Sequence, residues 1–303
     1  MAFGLEAIDY HVGEVELELA TTIPDFNRTF DKTGISKVYY TKEPVHEMGV
    51  RAAKKAINSS GRSKDTIKFL IYVTQSSSKA LPGDSVLVHR ELGLLSDVAL
   101  FDINAGCSGF VQALFMAIRM VNFLGTGIVV CSDAYRRKLD PNDRSTNAVF
   151  SDAGSAAIIS PGGNLELIGQ SFCVDSNMGP EFLVQEHMGG YLKMNGPALW
   201  EYTRGSVVHQ INSLNEIGSN LGSPTDRLYM HQASKLVVEG VSSRILPNTI
   251  KIPQNYAKYG NCVSSTLPIL MKNDINIISK GVTLLAGFGV GVMSACLLIK
   301  GDN

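Results

Sequence analysis

Apolar residues along the chain fall into short runs broken by small or polar positions, the rhythm of alternating strands and helices. Leu5–Ala20 alternates loosely and predicts one or two strands, while Pro24–Tyr40 reads as irregular. Glu47–Ser60 places apolar residues at helical spacing with Arg51, Lys54 and Lys55 outward, and Gly61 supplies a stop. Ile67–Thr74 predicts a buried strand. Pro82-Gly83-Asp84 opens a helix over Asp84–Leu92 with Asp84 as its N-cap. Val98–Ile103 is the next strand; it runs through small residues into Gly109–Leu124, a helix apolar on nearly every face. Such a helix belongs inside a protein rather than on its surface. Gly127–Cys131 and Ala156–Ile159 predict strands on either side of a polar loop, Ala134–Asn147.

The second half repeats this texture. Trp200–Leu214 and Ser234–Leu246 read as helices, and Arg227–Met230 as a short strand followed at once by His231. Tyr259–Ser265 is a small-residue turn leading into an apolar helix, Thr266–Met271. Val282–Gly287 and Met293–Ile299 are strands around a glycine turn, Phe288–Val292. Apolar strands alternating with helices predict an α/β protein whose mostly parallel sheet is covered on both faces. The similar order of the two halves predicts an internal duplication, 1–162 and 163–303, divided near Pro161-Gly162-Gly163.

Composition narrows the function classes. The 303 residues suffice for a large core, and 45% apolar with 18% charged content is that of a compact soluble protein. A net charge of −1 gives no general reason to expect nucleic acid. Five scattered cysteines, at 107, 131, 173, 262 and 296, argue against a disulfide framework or a zinc knuckle and suit a reducing cytoplasm. The first residues lack a signal pattern. The longest apolar run, Phe110–Leu124, is interrupted by Gln112, Arg119 and Asn122 and falls short of the roughly 20 residues of a membrane span.

The candidate chemistry lies at turns. Asn104-Ala105-Gly106-Cys107-Ser108-Gly109 sets one thiol among small residues at the start of a helix, where unpaired amides favour the nucleophilic thiolate. A buried, inert cysteine is the competing reading. His231 and Asn261 occupy similar settings at a strand end and a tight turn. A thiol, an imidazole and an amide together can activate a nucleophile, move a proton and hold an oxyanion; each of the latter two is also compatible with a purely structural role. The histidines at 11, 46, 89, 187 and 209 have only that ordinary reading. The turn Ala286-Gly287-Phe288-Gly289-Val290-Gly291 suits either a dinucleotide loop or a loop that offers backbone N–H groups to an oxyanion.

These residues resemble the ketoacyl-acyl-carrier-protein synthase III group of thiolase-fold condensing enzymes. FDINAGCSGFVQAL is similar to the family's nucleophile segment, and DPNDRSTNAVFSDAGSAAII to its DRxT…FGDGAGA segment. MNG at 194–196, HQAS at 231–234, KYGNCVSSTLP and AGFGVG resemble further motifs in the family's order. The resemblance implies two similar α/β halves in five layers and an enzyme without a cofactor or metal. Cys107 would carry the acyl group as a thioester. His231 and Asn261 would hold the enolate left when a malonyl-type extender loses carbon dioxide. Amides of Cys107 and of the Gly289–Val290 turn would form a second oxyanion hole, with Phe288 near the departing carboxylate. Leu81 would reach the acyl pocket of the other subunit of a dimer, identical or related. Arg144 matches the arginine that stacks on the coenzyme A adenine, and coenzyme A or an acyl carrier protein is the expected donor.

The chain departs from the family pattern where the coenzyme is handled. Arg28 stands at a tryptophan position, Lys32 replaces an arginine, Ser234 replaces the asparagine of HQAN, and Leu236 with Lys235 replaces an arginine. Acyl transfer to an alcohol or amine without condensation is the alternative activity. A cysteine hydrolase and a silent partner subunit are further alternatives: the flanks of Cys107 do not fit the papain-type signature, and a silent subunit has little reason to keep all three residues.

Overall fold

The computed structural model describes residues 2–77, 79, 81–177, 183–184 and 190–302; His187 lies outside them. Its main sheet is built from β1 (Ala2–Val12), β2 (Ile67–Val73), β3 (Ala99–Ile103), β4 (Thr126–Asp133) and β5 (Ala153–Pro161). The second half of the chain adds β6 (Leu165–Val174), β7 (Arg227–Met230), β8 (Val282–Gly289) and β9 (Met293–Gly301). The order is β7-β8-β9-β6-β1-β5-β4-β2-β3.

The sheet is mixed, which corrects the expectation of mostly parallel pairing. Only β2–β3, β2–β4 and β7–β8 are parallel. The middle of the sheet, from β8 through β9, β6, β1 and β5 to β4, is antiparallel. β4, β5 and β9 are buried on both faces, so their continuous apolar runs look like those of parallel strands, and periodicity cannot separate the two. The neighbour order repeats. β2–β4 parallel, then β5 and β1 antiparallel, is matched by β7–β8 parallel, then β9 and β6 antiparallel.

The helices used below are α1 (Phe26–Thr33), α2 (Val45–Ser60), α3 (Asp84–Leu92), α4 (Gly109–Leu124), α5 (Val208–Asn220), α6 (Lys235–Ser242) and α7 (Thr266–Met271). Gly196–Tyr202 is helical and passes through a π turn at Thr203–Val207 into α5. Alternate strand residues point to opposite faces, and the core clusters divide accordingly. Phe69, Ile71 and Val73 of β2 share a cluster with Phe110, Leu114 and Ile118 of α4, Leu267 and Met271 of α7, and Leu285 and Leu297 of β8 and β9. Leu70 and Tyr72 face the other way, onto Ala52, Ala53 and Ala56 of α2 and Val88 of α3. Leu228, Leu284 and Leu298 pack on α5 and α6. The result is helix, sheet, helix, sheet, helix, with α4 and α7 as the central layer. Gly106–Leu124 is long and apolar enough to cross a membrane by length and composition, yet it forms this layer. A side chain as enclosed as Leu114 is worth about 2–5 kcal/mol against alanine.

Three local expectations are corrected. Within Pro24–Tyr40 lie α1 and the strand Lys37–Tyr40, which pairs with Val15–Glu18; both are too short to leave a periodic signal, though Gly34 ends α1 in the left-handed region at φ 63°. Leu165–Val174, not expected from the pattern, is the strand that joins the second half to β1. Asp84 is the first helical residue of α3 rather than its cap. The amide of Ser85 instead donates to Asp102 Oδ1 at 3.0 Å, so β3 caps the helix from outside.

Candidate active site

Cys107 sits where β3 turns into α4. Gly106 takes φ 48°, and Gln75 Oε1 and Val290 Cγ1 occupy the space a β-carbon would need there, so the turn requires glycine. Gly106–Ser108 forms one 3-10 turn before α4 begins. The thiol is buried among Tyr135, Leu139, Phe150, Leu192 and Val263. Burial pushes its pKa up, and the carboxylate of Asp133 pushes it further, against a smaller opposing hydrogen bond from its own backbone. The helix start therefore does not leave a resting thiolate, as its position alone suggested: desolvation of the anion outweighs the amides, and Cys107 rests as a thiol.

Asn261 occupies the equivalent place in the second half, before the 3-10 turn Val263–Ser265 and α7. Its backbone is pinned on both sides, donating to Val149 O and accepting from Ser151 N, each at 2.9 Å. Its Oδ1 accepts from Val263 N at 2.9 Å, so the amide nitrogen Nδ2 remains to donate elsewhere. Val263 pays for this turn with φ 51°, an unusual conformation for a β-branched residue.

His231 follows β7 directly, and its backbone N–H donates to Ala286 O at 2.9 Å, holding it against β8. Phe288 meets the imidazole edge-on at 5.6 Å. Burial lowers the pKa of His231 to about 3, so the ring is neutral at ordinary pH. Nδ1 is buried without a hydrogen-bond partner. An orphaned N–H costs more than an orphaned acceptor, which places the ring proton on Nε2 and makes His231 a donor.

All three side chains line one cavity of about 800 Å³. Phe288, Gly289 and Val290 line it with them. A β-carbon on Gly289 would stand 2.9 Å from Cys107 Cβ and 3.1 Å from Sγ, so the backbone of that turn lies against the thiol. The glycine turn joins β8 to β9 as a hairpin and no helix follows it, which removes the dinucleotide reading. Arg144 lines the cavity with its Nη1 3.4 Å from Asp25 Oδ2. Ser234 lines it too, and its hydroxyl caps α6 by accepting from Val237 N at 3.4 Å. Arg28, Lys32 and Leu236 are also in the wall. Leu81 is not; its side chain is 85% exposed. Sequence reasoning missed Trp200, which lines the cavity together with Met194 and Thr203. With Arg28 at the expected tryptophan position, Trp200 adds an indole to the rings of Phe150 and Phe288 in the cavity wall. As the chain's single tryptophan, Trp200 carried a signal only in its rarity.

The one group with metal-ligand chemistry found among the described residues lies elsewhere. His46, Glu47 and Glu91 bring ligand atoms within 4.8 Å at the α2–α3 contact, where Glu91 is also paired with Arg90 at 3.3 Å.

The neutrality of His231 has a measurable consequence. In the unfolded chain the ring protonates near 6.5, but in the folded one only near 3. Its contribution is absent above pH 6.5, and stability is lost as the pH falls from there towards 3, by about 1.4 kcal/mol per pH unit. Urea unfolding of the wild type and His231→Ala at pH 6.5, 5.5 and 4.5 should show the variant losing less stability by that slope. Parallel curves would mean that His231 titrates normally in the fold.

Comparison with known proteins agrees with this geometry. The family model described as 3-oxoacyl-[acyl-carrier-protein (ACP)] synthase III matches residues 101–176, and the model of its C-terminal part matches 222–300, together more than half of the chain. A beta-ketoacyl-[acyl-carrier-protein] synthase III of Streptococcus agalactiae is 26% identical over 287 residues, covering 89% of this chain and 88% of the relative. A crystal structure of a 3-oxoacyl-(acyl-carrier-protein) synthase III superposes with a TM-score of 0.88 at 25% identity, covering 99% of this chain and all of that one. The priming β-ketosynthase of the R1128 polyketide pathway shares the fold, with a TM-score of 0.86 at 21% identity over 99% of this chain and 96% of that one. With the nucleophile turn, the paired donors and the hairpin all present on a thiolase-type fold, the chain belongs to the 3-oxoacyl-[acyl-carrier-protein] synthase III family of condensing enzymes.

Proposed function

We propose that this protein loads an acyl group on Cys107 and condenses it with a malonyl-type extender thioester, in fatty-acid or polyketide-like biosynthesis. The observation that carries this reading is the form of His231 and Asn261. Both are neutral donors on the cavity that holds the thiol, and no side chain among the described residues holds His231 Nδ1 as a carboxylate or amide would in a hydrolase triad.

In the first step Cys107 Sγ adds to the donor's thioester carbonyl. The oxyanion takes the amides of Cys107 and of the Gly289–Val290 turn, and the donor thiol departs with the proton that Cys107 gives up. In the second step the extender's C–C bond to its carboxylate breaks beside Phe288, carbon dioxide leaves, and the electron pair becomes an enolate. Its oxygen accepts from His231 Nε2–H and Asn261 Nδ2–H. The enolate carbon then attacks the acyl carbonyl, and Cys107 leaves as a thiolate that takes a proton from water. Donors fixed in a water-poor site act where this charge develops. Arg28, Lys32 and Arg144 in the cavity wall suit the phosphate-bearing arm common to coenzyme A and acyl carrier protein.

We further propose a homodimer. Among the described residues β3 ends the sheet and pairs on one side only, and an open edge is a template for a second strand. Leu81, exposed here, would be covered by the partner or enter its cavity.

The test is incubation of the wild type with acyl-coenzyme A and acyl-carrier-protein donors, followed by intact mass and by carbon dioxide release from labelled malonyl thioesters. A stable acyl adduct, carbon dioxide and a 3-oxoacyl product are expected, from a species sedimenting above the 32.7 kDa monomer. Acyl transfer to a hydroxyl or amine without carbon dioxide would replace condensation with simple acyl transfer.

A further inference from the structure

Asp133, at the end of β4, is fully buried, and its hydrogen bonds among the described residues come from neutral donors. Removing a carboxylate from water is costly, and here the compensation comes from both halves of the molecule. Oδ1 accepts from Gln75 N at 2.8 Å, Ser76 Oγ at 3.3 Å and Thr74 Oγ1 at 3.5 Å. Oδ2 accepts from Ser264 N at 3.3 Å and from the Ser264 hydroxyl.

The two oxygens therefore reach different parts of the site. On the Oδ1 side, Gln75 covers Gly106, the residue before Cys107, and its Oε1 accepts from Tyr135 Oη at 2.5 Å. On the Oδ2 side, Ser264 is the next residue after Val263, whose backbone N–H fixes the Asn261 amide and whose φ is positive. A strained turn persists only when its surroundings over-determine it. The backbone of Asn261 bonds to Val149 and Ser151 and the Ser265 hydroxyl receives that of Ser155 at 3.0 Å, while the Asp133–Ser264 contacts hold the residue next to the strained Val263 against the half that carries Cys107.

We propose that Asp133 is a positioning residue that aims the Asn261 amide at the reacting oxygen by holding the 261–265 turn in register with the Cys107 turn. The proposal rests on the condensing reading above and adds a residue that touches no substrate. Burial raises the pKa of Asp133, against the hydrogen bonds from Ser264, Gln75 and Ser76; the nearby Cys107 is raised by its own burial first and by Asp133 second.

Asp133→Asn tests this because an amide divides the two sides. Its oxygen still accepts from Gln75 N, the shorter contact, while its NH2 group faces the Ser264 N–H and can no longer accept from it. The variant should acylate Cys107 within about 3-fold of wild type and release carbon dioxide from a malonyl thioester roughly 10- to 100-fold more slowly, the scale of a misplacement of about 1 Å. Ser264→Ala should shift the same ratio in the same direction by a smaller factor, and Ser76→Ala, on the Oδ1 side, should leave it unchanged. A crystal structure of Asp133→Asn should show the 261–265 turn displaced and Cys107 in place. Equal loss of both steps, wild-type behaviour in both, or an unmoved turn overturns the proposal. If Asp133→Asn does not fold, Ser264→Ala decides alone, and an unchanged ratio in it is equally fatal. A wild type that loads but releases no carbon dioxide would instead overturn the condensing reading, leaving the displaced turn as the separate measure of Asp133.

Discussion

Asn261→Ala is expected to acquire an acyl group on Cys107 as the wild type does and to release carbon dioxide from a malonyl-type extender roughly 100- to 1,000-fold more slowly. In the proposed reaction the two steps use different donors. Acyl loading stabilises an oxyanion beside Sγ, where the backbone of the Gly289–Val290 turn lies against the thiol. Decarboxylation puts nearly a full charge on the extender's carbonyl oxygen. The donors proposed for that charge are Asn261 Nδ2, left to donate because Oδ1 is occupied by Val263 N, and the neutral His231 ring. Truncation leaves one of the two. The paired measurement is acyl-enzyme by intact mass and labelled carbon dioxide on the same preparation. Wild-type carbon dioxide release from Asn261→Ala would remove Asn261 from the condensation step.

Cys107→Ala is expected to lose covalent acylation and 3-oxoacyl product entirely while remaining folded. Alanine is smaller than cysteine, suits the helix start and makes no demand on the 3-10 turn set by Gly106. His231 and Asn261 lie on the other half of the chain and remain in place, so the variant should retain slow decarboxylation of the extender without coupling it to a product. Intact mass after incubation with each donor, together with the product assay, separates these. Acylation at normal stoichiometry would show that another residue, such as Cys262 or Cys131, is the nucleophile; both are buried, and burial pushes both thiols up.

The sequence alone determined the elements that carry the site, because each has a local cause. Gly106 takes φ 48° in the strand-to-helix turn, a backbone conformation that glycine itself permits. His231 follows a strand whose bounds, Arg227–Met230, are as expected, and Thr266–Met271 is the helix the pattern predicts. Other features were not legible from local pattern. Strands buried on both faces have no period, so the antiparallel centre of the sheet could not be told from a parallel one. α1 and the Lys37–Tyr40 strand are too short for a pattern to emerge. Tertiary structure also decided the electrostatics. A helix start favours a thiolate, but the enclosure of Cys107 and the nearby Asp133 reverse that preference, and no residue adjacent in the chain announces either. Trp200 enters the cavity wall from the helical segment before a π turn, and Asp133 bonds to Ser264, 131 residues further along the chain. Burial and long-range contact are properties of the packed layers, so they exist only once α4 and α7 are brought side by side between the two halves of the sheet.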